Sequence, residues 1–205
     1  MGQIVSSWYS RIAAALLVFG VLASTGVAHG DIWKIDPMHT AVSFRVRHMT
    51  ISNVTGKFDK VSGTMSINGT SMASLVVDAT VDASSIDTGV AMRDADLKGP
   101  HFLDVEKYPT ITFKSTKVMK ASERMWRIEG DLTLHGVTKP VSFFIDGPTG
   151  IIKDPKGNER VGANATATIS RKDFGLTYNP MLEAGGAVVG DAVSISLEVE
   201  AVKQK

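Results

Sequence analysis

From Thr40 to His48 the sequence TAVSFRVRH alternates, placing Val42, Phe44, Val46 and His48 on one face and Ser43, Arg45 and Arg47 on the other. A period of two over this length predicts a half-buried antiparallel strand. Comparable runs follow a short opener at Ile32 to Asp36: Val54 to Ile67, Ser74 to Asp82, Ile111 to Val118, Met125 to Leu134, Val141 to Asp146, Ala163 to Ile169 and Asp191 to Val202. In the last of these Val193, Ile195, Leu197, Val199 and Ala201 oppose Ser194, Ser196, Glu198 and Glu200, and in another Trp126, Ile128, Gly130, Leu132 and Leu134 share a face. Turn signals separate the runs: Asn68-Gly69-Thr70, the stretch His135 to Pro140, and Asp154 to Asn158.

The one long break, Ala83 to Thr110, predicts a short helical excursion. Asp87-Thr88 can cap a helix running through Met92 and Leu97 until Gly99-Pro100 stops it, and a second helical turn is expected over His101 to Val105. Nine runs, eight of them substantial, therefore predict an all-β fold: an eight-stranded antiparallel barrel with a short helical excursion between strands at about residues 83–110. A sandwich is the alternative, but closure removes the strand edges that invite aggregation. An outer-membrane barrel is disfavoured, because Arg45, Arg47, Glu198 and Glu200 would have to face lipid or fill the lumen.

The first thirty residues stand apart from this pattern. Arg11 precedes the apolar run Ile12 to Leu22 and the small-residue stretch Ala23 to Ala28. The run is too short for a membrane helix, and Gly26 and Ala28 suit a cleavage site, so residues 1–28 are expected to be a signal peptide cut after Ala28 or Gly30. That leaves one domain over residues 31–205, exported to the periplasm, with no stable membrane span after cleavage. The chain has 22 basic and 21 acidic residues, and removing the leader with its single Arg11 leaves the domain formally neutral. Without a basic run, neither nucleic acid nor an anionic lipid surface is an expected partner. The chain has no cysteine, which excludes disulfides, thiolate metal sites and a thiol nucleophile.

Several ordered strings carry a resemblance. They are Trp33-Lys34-Ile35-Asp36-Pro37-Met38-His39-Thr40, Phe44-Arg45-Val46-Arg47-His48-Met49, Gly56-Lys57-Phe58, Ser85-Ile86-Asp87-Thr88-Gly89, Arg93-Asp94 and His101-Phe102-Leu103-Asp104-Val105, followed by Tyr108 to Phe113 and Arg171-Lys172-Asp173-Phe174-Gly175. The longest is Gly130-Asp131-Leu132-Thr133-Leu134-His135-Gly136-Val137-Thr138-Lys139-Pro140-Val141. From Trp33 to Val202 the chain resembles the YceI-like family of periplasmic polyisoprenoid-binding proteins. The departures are Thr40, where the family often has Ser, and a longer, Gly-rich stretch at Tyr178 to Gly190. The resemblance implies a lipocalin-like barrel whose apolar lumen takes a long isoprenoid tail, with a polyisoprenoid or isoprenoid quinone as ligand, no other cofactor and no enzymatic step. The alternatives are another amphiphile such as a fatty acid or fatty amide, or a quinone-using redox or stress-response accessory protein.

The apolar members of the alternating runs, with nearby aromatics, are the expected lumen lining: Val42, Phe44, Val46, Phe58, Leu75, Val77, Phe113, Trp126, Ile128, Leu132, Phe143, Ile145, Phe174, Val193, Ile195 and Leu197. The competing expectation for each is a solidly filled core. Arg93, Asp94 and His101 are the candidates for a headgroup at one mouth. No catalytic residue and no metal site are expected: Asp87-Thr88-Gly89 spells an aspartic-protease tripeptide but occurs once, there is no GxSxG elbow, and the histidines lack ligand spacing. An apolar rim would support a homodimer, although no particular residue assigns one.

Overall fold

The computed structural model describes residues 30–69, 71–180 and 187–205. Residues 1–29, where the signal peptide is expected, residue 70, and residues 181–186 of the Gly-rich stretch lie outside the described residues. In chain order the strands are β1 (Asp31–Ile35), β2 (Ala41–His48), β3 (Ser52–Phe58), β4 (Val61–Ile67), β5 (Val76–Asp82), β6 (Ile86–Asp87), β7 (Thr110–Lys120), β8 (Met125–Leu134), β9 (Val137–Asp146), β10 (Ile152–Lys153), β11 (Glu159–Ser170) and β12 (Val189–Lys203), with one α-helix among the described residues, α1 (Ala91–Lys98), between β6 and β7.

The pairing is antiparallel throughout and closes on itself. β12 pairs along one edge with β11 and along the other with β2, through residues 189–198, and then β1, through residues 201–203. Three staves of the barrel are broken in two: β1 continues as β2, β3 as β4, and β5 as β6, because β4 pairs with β1 and β5 while β3 pairs with β2 and β6. With β7, β8, β9, β11 and β12 this makes an eight-staved barrel, as the alternating runs predict. The run Val54 to Ile67 is not one strand. At Asp59 and Lys60 the backbone N–H groups turn to the carbonyl and hydroxyl of Ser85, which interrupts the ladder.

The stretch His135 to Pro140 is not a long turn either. Only His135 and Gly136, with φ of 52° and 74°, form the loop between β8 and β9. A two-residue hairpin needs positive φ at both positions, which frees Val137 to Pro140 to join β9. The helix begins at Ala91 rather than at a cap from Asp87-Thr88, and its N-cap residue Val90 makes no side-chain cap. Thr88 instead donates its N–H (2.8 Å) and hydroxyl to the Asp94 carboxylate, and Arg93 Nε and Nη2 donate to the Thr88 hydroxyl and carbonyl (2.7 and 2.9 Å). Gly99 and Pro100 do end the helix, but His101 to Val105 folds as consecutive turns, with the N–H groups of Phe102 and Asp104 both donating to the Gly99 carbonyl. Trp33, Ile35, Val61, Ala83 and Ala201 are buried around the staves, and two larger clusters, one around Phe174 and one around Phe143, pack the interior.

Candidate functional site

A cavity of about 830 Å³ runs through the barrel, within the size range of small-molecule sites. Inward positions of β2, β3, β5, β7, β8, β9, β11 and β12 line it, so the alternation that forms the strands also makes its surface apolar. Of the predicted lining set, all but Trp126 and Phe174 border this lumen. Val42, Phe44, Val46, Phe58, Val77, Val193, Ile195 and Leu197 are only half-buried although they point inward, because part of each side chain borders the void. Glycine keeps two of the rings against the wall. A Cβ at Gly56 would strike the Phe44 ring and one at Gly130 the Phe113 ring, so each Phe lies across a glycine of the neighbouring strand instead of filling the centre.

One mouth lies under α1 and the turns after it, where Arg93, Asp96, Leu97, Phe102, Tyr178, Val188 and Val189 line the lumen. His101 stacks on Tyr178 with ring centroids 4.8 Å apart. Arg171, 4% exposed, ties this mouth together: it donates to the carbonyls of Tyr178 (2.9 Å), Gly190 (3.0 Å) and Val189 (3.2 Å) and to that of Leu176. Burial pulls its pKa down, partly offset by the nearby Asp191 charge. The opposite mouth is lined by Met65, Ile67, Met72, Leu75 and the Pro148–Ile151 loop, with Trp33 packed beneath it.

A closed antiparallel barrel around an apolar lumen is the geometry on which comparison with known proteins can be made. The sequence profile of the YceI-like domain matches residues 33–201. The chain belongs to the YceI-like family. It is 35% identical over 194 residues to a UPF0312 protein of Pseudomonas putida (strain W619), a match that covers 94% of this chain and 97% of the relative. Among solved structures it is similar to the Campylobacter jejuni YCEI protein, with 28% identity and a TM-score of 0.66 over 78% of this chain and 90% of the other. It also shares its fold with a polyisoprenoid binding domain from Saccharophagus degradans implicated in plant cell wall breakdown, at 16% identity and a TM-score of 0.60, over 86% of this chain and all of the other.

Within this YceI-like barrel two of the expected lining residues lie elsewhere. Trp126 packs beside Ile128, Phe143 and Ile145, and Phe174, 2% exposed, packs among Leu132, Leu134 and Ile169 in a seam of the wall. Of the headgroup candidates only Arg93 reaches the lumen; Asp94 is engaged by Thr88 and His101 by Tyr178. Asp87 of the protease-like tripeptide accepts the Gly89 N–H in a turn.

Sequence reasoning missed a polar staple outside the lumen. Arg160 on β11 donates to Asp36 (2.7 Å), Asp154 (2.8 Å) and Glu200, and so joins β11, β12 and two loops. Its guanidinium, then His39, holds the Asp36 pKa down at about 2, and the Asp154 carboxyl also lies below the usual range, through Arg160 and then Asn158. Asp36, His39 and Glu200 stand close enough to share a metal ion, but the Arg160 cation already occupies the space between the two carboxylates. No sequence signal links these residues, which lie up to 164 positions apart.

Proposed function

We propose that this YceI-like chain binds an isoprenoid lipid with its tail in the barrel lumen, as a non-enzymatic carrier or store in the periplasm. The observation that carries the reading is an apolar channel of about 830 Å³ whose inward side chains on β2, β3, β5 and β12 remain half-buried. Each CH₂ group moved from water into such a channel contributes about 0.8 kcal/mol, so a long tail is held without any catalytic or ionic group. Staves of about ten residues tilted by about 40° give a barrel about 25 Å high, shorter than an extended C40 tail of about 40 Å, so the tail folds back or protrudes. The shared fold with a polyisoprenoid binding domain supports the ligand class, and the composition of residues 1–28 supports export.

The test is native mass spectrometry of protein purified from its own cells, followed by solvent extraction of whatever it carries. A stoichiometric adduct with a repeating C5 tail is expected. A linear acyl chain would reassign the lumen to fatty acids or their amides, and a bare mass with no uptake of added polyprenol would end the lipid reading.

A further inference from the structure

The barrel wall is unevenly zipped. β8 and β9 share ten residue pairs, and β11 and β12 share eleven. Between β9 and β11 there are three: Asp146 with Asn164, Ile145 with Ala165 and Phe144 with Thr166. Beyond that last rung, Val137 to Phe143 of β9 pair only with β8, and Ala167 to Ser170 of β11 pair only with β12. Pro140 lies in this stretch of β9; it has no N–H, and a sheet tolerates proline where one strand edge is open.

A groove of about 1010 Å³ overlies the seam on the outside of the barrel, lined by Lys139 to Ser142 on one bank and Thr166 to Ser170 on the other. Ile169 of β11 borders both this groove and the lumen, as do Phe44 of β2 and Ile195 of β12, so at Ile169 the seam wall is one side chain thick. Side chains, not a ladder, close it. Phe174 fills the gap among Leu132, Leu134 and Ile169, with Val137 and Val141 packed against them. Phe174 ends a 3-10 turn at Gly175, whose φ of 77° makes a sharp corner, and a single 3.3 Å hydrogen bond joins His135 Nδ1 to the Phe174 carbonyl.

We infer that the β9–β11 seam is the lateral entrance through which the lipid tail passes between the outer groove and the lumen, an inference that rests on the lipid-binding reading. Parting any fully paired seam would strip backbone N–H and C=O groups of their partners in an apolar wall, where nothing replaces them. Parting this one displaces an apolar plug, and an isoprenoid tail replaces the lost contacts with contacts of the same kind. The groove's outer hydroxyls on Ser142, Thr166, Thr168, Ser194 and Ser196 keep a polar head in polar surroundings while the tail crosses.

Because the native chain contains no cysteine, Ser142→Cys with Thr168→Cys introduces a single pair, on the outer face one inside-outside repeat beyond the last rung. The pair is bridged by oxidation, or by a short bis-maleimide where the strands stand too far apart, and bridging is verified by mass. Loading with solanesol is followed by tryptophan fluorescence in stopped flow. Bridging should slow loading by at least about tenfold, as expected for blocking a gate, and reduction of the disulfide should restore the rate. A control bridge across the zipped seam, Asn164→Cys with Glu198→Cys, should leave the rate unchanged. Equal loading by bridged and unbridged protein, or equal slowing by the control bridge, overturns the entrance while leaving the lipid-binding reading intact. No loading by any form, wild type included, overturns both.

Discussion

The two sides of the barrel wall follow one sequence pattern and end in opposite states. On β8, β9 and β11 the inward residues Ile128, Leu132, Leu134, Phe143, Ile145, Ala165 and Ile169 are buried against one another. On β2, β3, β5 and β12 the equivalent residues Val42, Phe44, Phe58, Val77, Val193, Ile195 and Leu197 stay half-buried. Alternation with a period of two fixes which residues point inward and says nothing about what they meet there. What differs is how fully each side is covered: aromatic and branched chains interlock in two buried clusters on the first side, while on the second Phe44 lies flat across Gly56 and leaves part of the centre open. A barrel can thus hold a solid core for stability and a lumen for a ligand in the same cross-section.

Truncation should separate the sides most sharply. Phe143→Ala on the filled side is expected to cost about 3–5 kcal/mol in urea unfolding, through lost burial plus a new cavity. Val42→Ala on the open side should cost about 1 kcal/mol, since its half-buried side chain borders the lumen and belongs to neither core cluster. Equal losses would erase the distinction. Next in size is Phe44→Asp, which should leave a folded protein whose polyprenol affinity has dropped at least about a hundredfold, because the carboxylate loses its hydration when a tail fills the lumen; circular dichroism with a binding titration checks both halves of that statement. Gly130→Ala should cost about 1–3 kcal/mol, because the added carbon meets the Phe113 ring and the Lys114 carbonyl and must push the ring inward.

The smallest effect lies outside the wall and serves as a reference for both sides. Asp36 is held at about 2 by Arg160 and His39, and a carboxylate with a depressed folded pKa stabilises the fold above its ordinary range near pH 4 and loses that contribution as pH falls through about 2. Arg160→Met should therefore be less stable than wild type above pH 4, with the gap narrowing towards pH 2, and should leave polyprenol affinity unchanged. A gap that does not narrow on acidification would detach Asp36 from the staple.

The strands were legible because each carries its own alternation: Thr40 to His48 points its predicted face into the lumen, and Asp191 to Val202 does so from Val193 to Val199, with Ala201 buried beyond it. Features that depend on remote partners were not. The break at Asp59 and Lys60 is made by Ser85, the staple at Arg160 joins residues from both ends of the chain, and Phe174 belongs to the seam because of where β9 lets go of β11. Pro140 misled in an instructive way. Read locally it ends a turn, yet a strand with one open edge can hold it.

The most direct test of the central claim is a titration of solanesol into wild type and into Val42→Trp, a substitution that fills the open side at a residue belonging to neither core cluster. One tail bound per wild-type chain, with affinity weakened at least about tenfold in a variant that unfolds at an unchanged urea concentration, is the predicted result. Uptake that is absent from wild type, or identical in the two proteins, would contradict the account of the lumen as the lipid site.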